Sequence, residues 1–185
     1  NVRNEYVKRL SSELEGFDGG GAATVYFGGG TPTVLPPYVL AELLFLIKRT
    51  SDAEVTIEAN PGTVDFEGLR TLREAGFNRI SLGMQTHDDA LLKLAGRVHS
   101  NSETVSAVND ARNAGFENIS LDLMYGLPGQ SFESFMRSVD KALELSPEHI
   151  SIYGLKLEEN TPFYNRYALG GLPPDDTQAD EYLAA

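Results

Sequence analysis

Cysteine is absent from this 185-residue chain. Its absence excludes disulfides, thiolate-held metals and thiol nucleophiles within the sequence. Long apolar runs are missing too. None approaches the ~20 residues of a membrane-spanning helix, and no secretory leader pattern is visible. Basic charge is scarce: 15 Lys and Arg face 27 Asp and Glu, a formal net charge of −12. That balance argues against nucleic acid or an anionic membrane as the main partner. Together these features lead us to expect a cytoplasmic protein. Histidine is sparse, with His87, His99 and His149 lacking the short spacing of a helical zinc pair. His99, close to Arg97, could face a pocket or a haem, but a surface position is the expectation. What remains is ordinary for a single globular domain with a real core: 41% hydrophobic and 23% charged residues.

The most informative segment present is Val25-Tyr26-Phe27-Gly28-Gly29-Gly30-Thr31-Pro32-Thr33. A β-rich apolar run ends abruptly in three glycines. Glycine admits backbone conformations closed to other residues and lets a ligand approach the main chain. Taken alone, the run reads equally as a tight strand-to-helix turn.

Strand-like and helix-like patterns then alternate along the chain. Tyr6, Val7, Leu10 and Leu14 fall at helical spacing over Asn4 to Glu15. A strand over Ala23–Phe27 precedes a helix from about Pro37 to Arg49 that opens on prolines. A strand over Glu54–Glu58 leads to a helix between the N-cap candidate Asp65 and Gly76. Strands over Arg79–Leu82, Asn118–Leu123 and His149–Leu155 follow, separated by helices near Asp88–Leu94, Ser102–Ala114 and Ser131–Leu145. An acidic, proline-marked tail ends the chain, where Asp175-Asp176 reads as the cap of a last helix. Successive βα units imply a parallel sheet. The stretches Glu-Ala-Gly-Phe-Asn-Arg-Ile-Ser-Leu (74–82) and Asn-Ala-Gly-Phe-Glu-Asn-Ile-Ser-Leu (113–121) echo one another. Repetition of one unit favours a (β/α) barrel over a doubly wound sheet, and the length suits a partial one, short of the ~250 residues of a closed barrel.

Ligands in such folds bind at the C-terminal ends of the strands. The polar residues there are Gly28–Thr31, Glu58 with Asn60, Gln85, Asp122 with Tyr125, and Tyr153, with Arg97 in the connection after the third strand. A carboxylate can accept both hydroxyls of a ribose, and an arginine can hold a carboxylate through paired hydrogen bonds. Glycine-loop carbonyls can accept from an ammonium, and Gln85 offers donor and acceptor together. Each residue alone reads as a cap or turn former. Jointly, on successive strand ends, they suit a zwitterionic, ribose-bearing ligand.

At these residues a resemblance becomes specific. Gly-Gly-Gly-Thr-Pro-Thr (28–33), Glu-Ala-Asn-Pro-Gly-Thr (58–63), Ser-Leu-Gly-Met-Gln-Thr (81–86), Gly-Arg-Val-His-Ser (96–100) and Leu-Asp-Leu-Met-Tyr-Gly-Leu-Pro-Gly-Gln (121–130) occur in order. Together they resemble the radical S-adenosylmethionine proteins of the oxygen-independent coproporphyrinogen III oxidase family, over nearly the whole chain. With Ser-Ile-Tyr-Gly-Leu-Lys-Leu-Glu-Glu-Asn-Thr (151–161), they look more like the oxidase-like branch of haem chaperones than the decarboxylating branch. The resemblance implies an α/β fold, a partial radical-SAM-type barrel over 1–170, with 171–185 starting a C-terminal extension. It implies that S-adenosylmethionine meets Gly28, Gly29, Gly30 and Thr31 through its amine and Glu58 through its ribose, with Gln85, Arg97 and Asp122 completing the pocket. It further implies haem or a porphyrinogen as partner, and a haem-accepting recipient protein.

The sequence departs from that family at one point. The three-cysteine loop that holds a [4Fe–4S] cluster is missing, so the cluster is expected in the parent protein only and no catalytic residue is assigned to this chain. We expect Asn1 not to be the natural start and the first strand to lie upstream; a natural cluster-free relative is the alternative. Without that strand, the edge of Ala23–Phe27 would be open to self-association. A decarboxylating oxidase and a cluster-free, phosphate-binding barrel enzyme remain as alternative functions.

Overall fold

The computed structural model describes residues 2–17 and 19–185. Helix α1 spans Val2–Gly16 and strand β1 Ala22–Phe27; a single 3-10 turn, Pro32–Val34, leads to α2, Pro37–Phe45. Strand β2 covers Arg49–Ala59, followed by a second 3-10 turn at Pro61–Thr63 and by α3, Phe66–Ala75. Then come β3 (Arg79–Gln85), α4 (Asp89–Leu94), α5 (Asn101–Asn113) and β4 (Asn118–Tyr125). Helix α6 (Phe132–Glu144), β5 (His149–Gly154), α7 (Pro162–Tyr167) and α8 (Asp175–Ala184) complete the order.

The strands form one sheet in the order β1-β2-β3-β4-β5, every pair parallel. Because the order never reverses, the sheet curls into a half-barrel and is not doubly wound. The internal echo has a direct structural meaning. Arg79, Ile80, Ser81 and Leu82 pair in register with Asn118, Ile119, Ser120 and Leu121. Gly76 and Gly115 end α3 and α5 with φ of 112° and 93°, and Phe77 and Phe116 behind them are buried.

Alternation along the strands assigns the two faces. Val55, Ile57, Ala59, Ile80, Leu82, Met84, Ile119, Leu121 and Leu123 point to the core. There they meet Leu40 and Leu44 of α2, Leu69 and Leu72 of α3, Ala107, Val108 and Ala111 of α5, and Phe135 and Val139 of α6. Each fully buried aliphatic or aromatic side chain contributes about 1.5–3 kcal/mol. The residues between them, among them Glu58, Ser81 and Asp122, take the concave face. Parallel strands covered on both faces read as unbroken apolar runs; these alternate because one side is a polar cavity.

Several boundaries differ from the sequence reading. Helix α2 stops at Phe45, and Arg49 opens β2 instead of ending the helix. The Arg49 guanidinium donates to the Leu44 carbonyl at 3.0 Å, so the residue serves the C-terminus of α2 from the next strand. Strands β3 and β4 run on to Gln85 and Tyr125, past Leu82 and Leu123. Asp175 and Asp176 do not cap α8: Pro174 holds the cap position, and the aspartates lie in the first turn, where their charge faces the positive end of the helix dipole.

Candidate functional site

The C-terminal ends of the strands enclose a cavity of about 400 Å³, within the roughly 300–1,000 Å³ usual for small-molecule sites. Of the residues named from sequence, Gly29, Gly30, Thr31, Glu58, Asn60, Gln85, Arg97, Asp122 and Tyr153 line it. Gly28 stands just outside. A side chain there would meet the Tyr26 ring at 2.5 Å and Glu58 Oε1 at 3.1 Å, so glycine is what lets those two groups approach. Tyr125 turns away and packs edge-on against Phe135.

The glycine loop orients Glu58. The Gly29 amide donates to Oε2 at 3.0 Å, and the Tyr26 hydroxyl donates to Oε1 at 2.6 Å. A carboxylate has about four lone-pair sites, so both oxygens can still accept from a ligand. Burial, and then the Glu58 hydrogen bond, push the Tyr26 phenol up to about 12, so it stays a donor. Sequence reasoning missed Tyr26. Its signal was the two-residue step that puts it on the same strand face as Gly28.

Asn60 joins three loops. Its Nδ2 donates to Thr31 Oγ1 at 2.9 Å, and its Oδ1 accepts from the Arg97 guanidinium at 3.4 Å. Thr31 in turn donates to the Gly30 carbonyl. Gln85 sits at the end of β3 with φ of 64°, a left-handed backbone uncommon outside glycine. Its Oε1 accepts from the Tyr153 hydroxyl at 2.6 Å, which leaves the side-chain NH₂ free to donate into the cavity beside Gly83.

On the cavity floor Asp122 accepts from the Ser81 hydroxyl at 2.9 Å and also bonds Ser151. Burial raises its pKa above the usual carboxylate range despite those bonds, and the Glu58 charge pushes the same way. Ser81 and Ser151 were not singled out from sequence; Ser-Leu and Ser-Ile within strands carry no mark of a site. Two carboxylates in one cavity with the single arginine Arg97 on its wall favour a ligand that brings positive charge and a carboxylate together.

His99 corrects an expectation. It is not on the surface but 5% exposed, while its neighbour Val98 is 89% exposed. The two neighbours therefore face opposite ways, Val98 to solvent and His99 to the interior. His87 and His149 serve local structure, bonding Ser138 at 3.2 Å and Ser120 at 2.9 Å.

These features define an open, all-parallel (β/α) half-barrel with a charged nucleoside-sized cavity at its strand ends. The chain belongs to the radical SAM superfamily, whose profile matches residues 2–142. It is 43% identical over 183 residues to the heme chaperone HemW of Lactococcus lactis, a match covering 96% of this chain and 48% of that protein. Its identity to the heme chaperone HemW of Bacillus subtilis is 45% over 166 residues, covering 86% and 44%. Among solved structures, the coproporphyrinogen III oxidase HemN of Escherichia coli, a radical SAM enzyme, aligns with a TM-score of 0.85 at 28% identity, over 98% of this chain and 44% of that one. The chain thus spans about half the length of the curated relatives it matches.

Proposed function

We propose that the cavity binds S-adenosylmethionine and that the chain is the barrel half of a haem-chaperone-type radical SAM protein. The observation that carries this is the convergence of Glu58, Asp122 and Arg97 on one cavity walled by Gly29 and Gly30. In this reading Glu58, already aimed by Tyr26 and Gly29, accepts from the ribose hydroxyls. Arg97 holds the ligand carboxylate, the Gly29–Gly30 backbone takes the ammonium, and Gln85 donates from its free NH₂. Asp122 lends negative potential for the cationic sulfonium. When bound, S-adenosylmethionine supplies an activated sulfonium–carbon bond; the protein binds, orients and shields it.

The residues present do not fit an iron–sulfur cluster. The chain has no cysteine, and among the described residues no group of three His, Asp or Glu converges as a metal site. Cluster thiolates would have to come from outside these residues. Accordingly we assign no catalytic residue here and reserve the [4Fe–4S] cluster for the parent protein. We further read 1–170 as barrel and 171–185 as the start of an extension, with haem or a porphyrinogen and a haem-accepting protein as partners. The location is read as cytoplasmic. No described helix is long and apolar enough to cross a membrane.

Calorimetric titration of S-adenosylmethionine into the chain tests the site. Saturable binding is expected, weakened about 10- to 100-fold by Glu58→Gln, since a hydrogen bond to a charged group contributes about 1.5–3 kcal/mol. Unchanged affinity in that variant removes Glu58 from the site. The likeness to HemN favours a second reading, a decarboxylating oxidase. Anaerobic incubation of the parent protein with coproporphyrinogen separates the two: product formation sinks a purely chaperone role, whereas haem binding and transfer without turnover supports it.

A further inference from the structure

His99 lies between three pieces of the cavity wall without lining it. Its ring is bonded to the Met84 backbone, immediately before the left-handed Gln85. Nε2 is buried and finds no hydrogen-bond partner among the described residues, so Nδ1 makes that bond and donates to the Met84 carbonyl. The Cβ of His99 lies 3.5 Å from where a side chain on Gly62 would start, against the turn that follows Asn60. Two residues back along the same loop is Arg97, anchored by its backbone amide to the Leu92 carbonyl at 2.9 Å and by its guanidinium to Asn60. His99 therefore belongs to the loop that carries Arg97, bonds the strand that carries Gln85 through its ring and sets its Cβ against the turn that follows Asn60.

We infer that His99 is a positioning residue for this cavity, holding Arg97 and Gln85 in place only while its ring is neutral. Protonation would put a charge and a second N–H at Nε2, which is buried and faces no acceptor, and the ring would have to leave. Burial already holds the pKa of His99 below its ordinary value. The charged groups around it are Arg97 on its own loop, Glu103 from α5 and Asp89 from α4; β3 and the turn after β2 contribute none. Neither acid bonds the His99 ring, and each has one oxygen turned to another partner. Glu103 accepts from the backbone and hydroxyl of Ser100, and Asp89 accepts from the Asn101 amide at 2.7 Å.

The inference rests on the S-adenosylmethionine reading only for its choice of probe. Binding of S-adenosylmethionine is measured by calorimetry across the range from neutral to acid for the chain, His99→Asn and His99→Ala. Asparagine can place Nδ2 near the Nδ1 position and does not titrate. Wild-type affinity should fall about tenfold per pH unit once the ring titrates. His99→Asn should match wild type at neutral pH and lack that component; any part due to Asp122 remains in both. His99→Ala should bind about tenfold more weakly even at neutral pH. Superimposable pH profiles for wild type and His99→Asn overturn the inference. A second readout needs no ligand: the side-chain NMR signals of Gln85 and Arg97 should shift as His99 titrates in wild type and stay fixed in His99→Asn. If S-adenosylmethionine fails to bind at any pH, the ligand reading falls and the NMR series alone decides the role of His99.

Discussion

Glu58 shows how a single carboxylate is prepared before any ligand arrives. Its two oxygens are each held by one donor, the Tyr26 hydroxyl and the Gly29 amide, so the rotamer is set by the protein. The raised phenol of Tyr26 reports that arrangement. With a folded pKa of about 12 against 10.0 for a free tyrosine, the folded state keeps the phenol proton that the unfolded chain gives up. The contribution to stability is therefore intact below pH 10 and is lost as the pH rises toward 12. Tyrosinate absorbance followed in Glu58→Gln should show Tyr26 ionising at lower pH than in wild type; an unmoved titration would mean that Glu58 does not hold it. At this scale the sequence was legible wherever chemistry and strand position coincided, as in Glu58, Gln85 and Asp122. It was not legible for His99, because a polar residue in a connecting loop ordinarily faces water, and only the folded loop turns Val98 out and His99 in.

Among the elements, the two echoed units invite a direct comparison. Gly76 and Gly115 both sit in the left-handed region, where a non-glycine residue costs roughly 1–2 kcal/mol. Their surroundings differ. A Cβ on Gly76 would stand 3.0 Å from Arg49 Nη2, whereas the nearest atom to a Cβ on Gly115 is 3.8 Å away. Arg49 is the residue whose guanidinium serves the Leu44 carbonyl of α2 and the Ile47 carbonyl just beyond it. Denaturant unfolding should therefore find both alanine variants destabilised and Gly76→Ala the more so; equal losses would show that Arg49 gives way without cost. Periodicity located the strands and most helices because one face of the strands and of α2, α3, α5 and α6 packs on a continuous core. The end of α2 escaped it: Leu46 and Ile47 prolong the apolar stripe past Phe45, and what stops the helix is the long-range demand of β2 for Arg49.

The whole molecule is a curved sheet with an open side. Among the described residues β1 pairs only with β2, and Tyr26 on it is well exposed. Helix α1 buries none of its residues, and an apolar groove lined by Tyr6, Leu10, Leu14, Val25 and Phe27 runs between that helix and β1. An unpaired edge next to exposed apolar surface invites another strand. Sedimentation velocity should reveal concentration-dependent association, diminished by Thr24→Lys on the exposed edge. A strictly monomeric species at high concentration would count against the edge as a contact. The half-barrel itself could be read from the repeated units, but its open side is a matter of which neighbours are present, and no residue encodes that locally.

The strand order β1-β2-β3-β4-β5 has a consequence for how the chain is made. Each strand docks on the one synthesised just before it, so no partner has to be awaited from far downstream. Growth at a ribosome can then proceed like laying staves side by side, each secured by the helix that follows. Such nearest-neighbour assembly keeps loop-closure costs small and similar at every step. Chains shortened from the C-terminal side should lose ordered strands one at a time, not collapse as a whole.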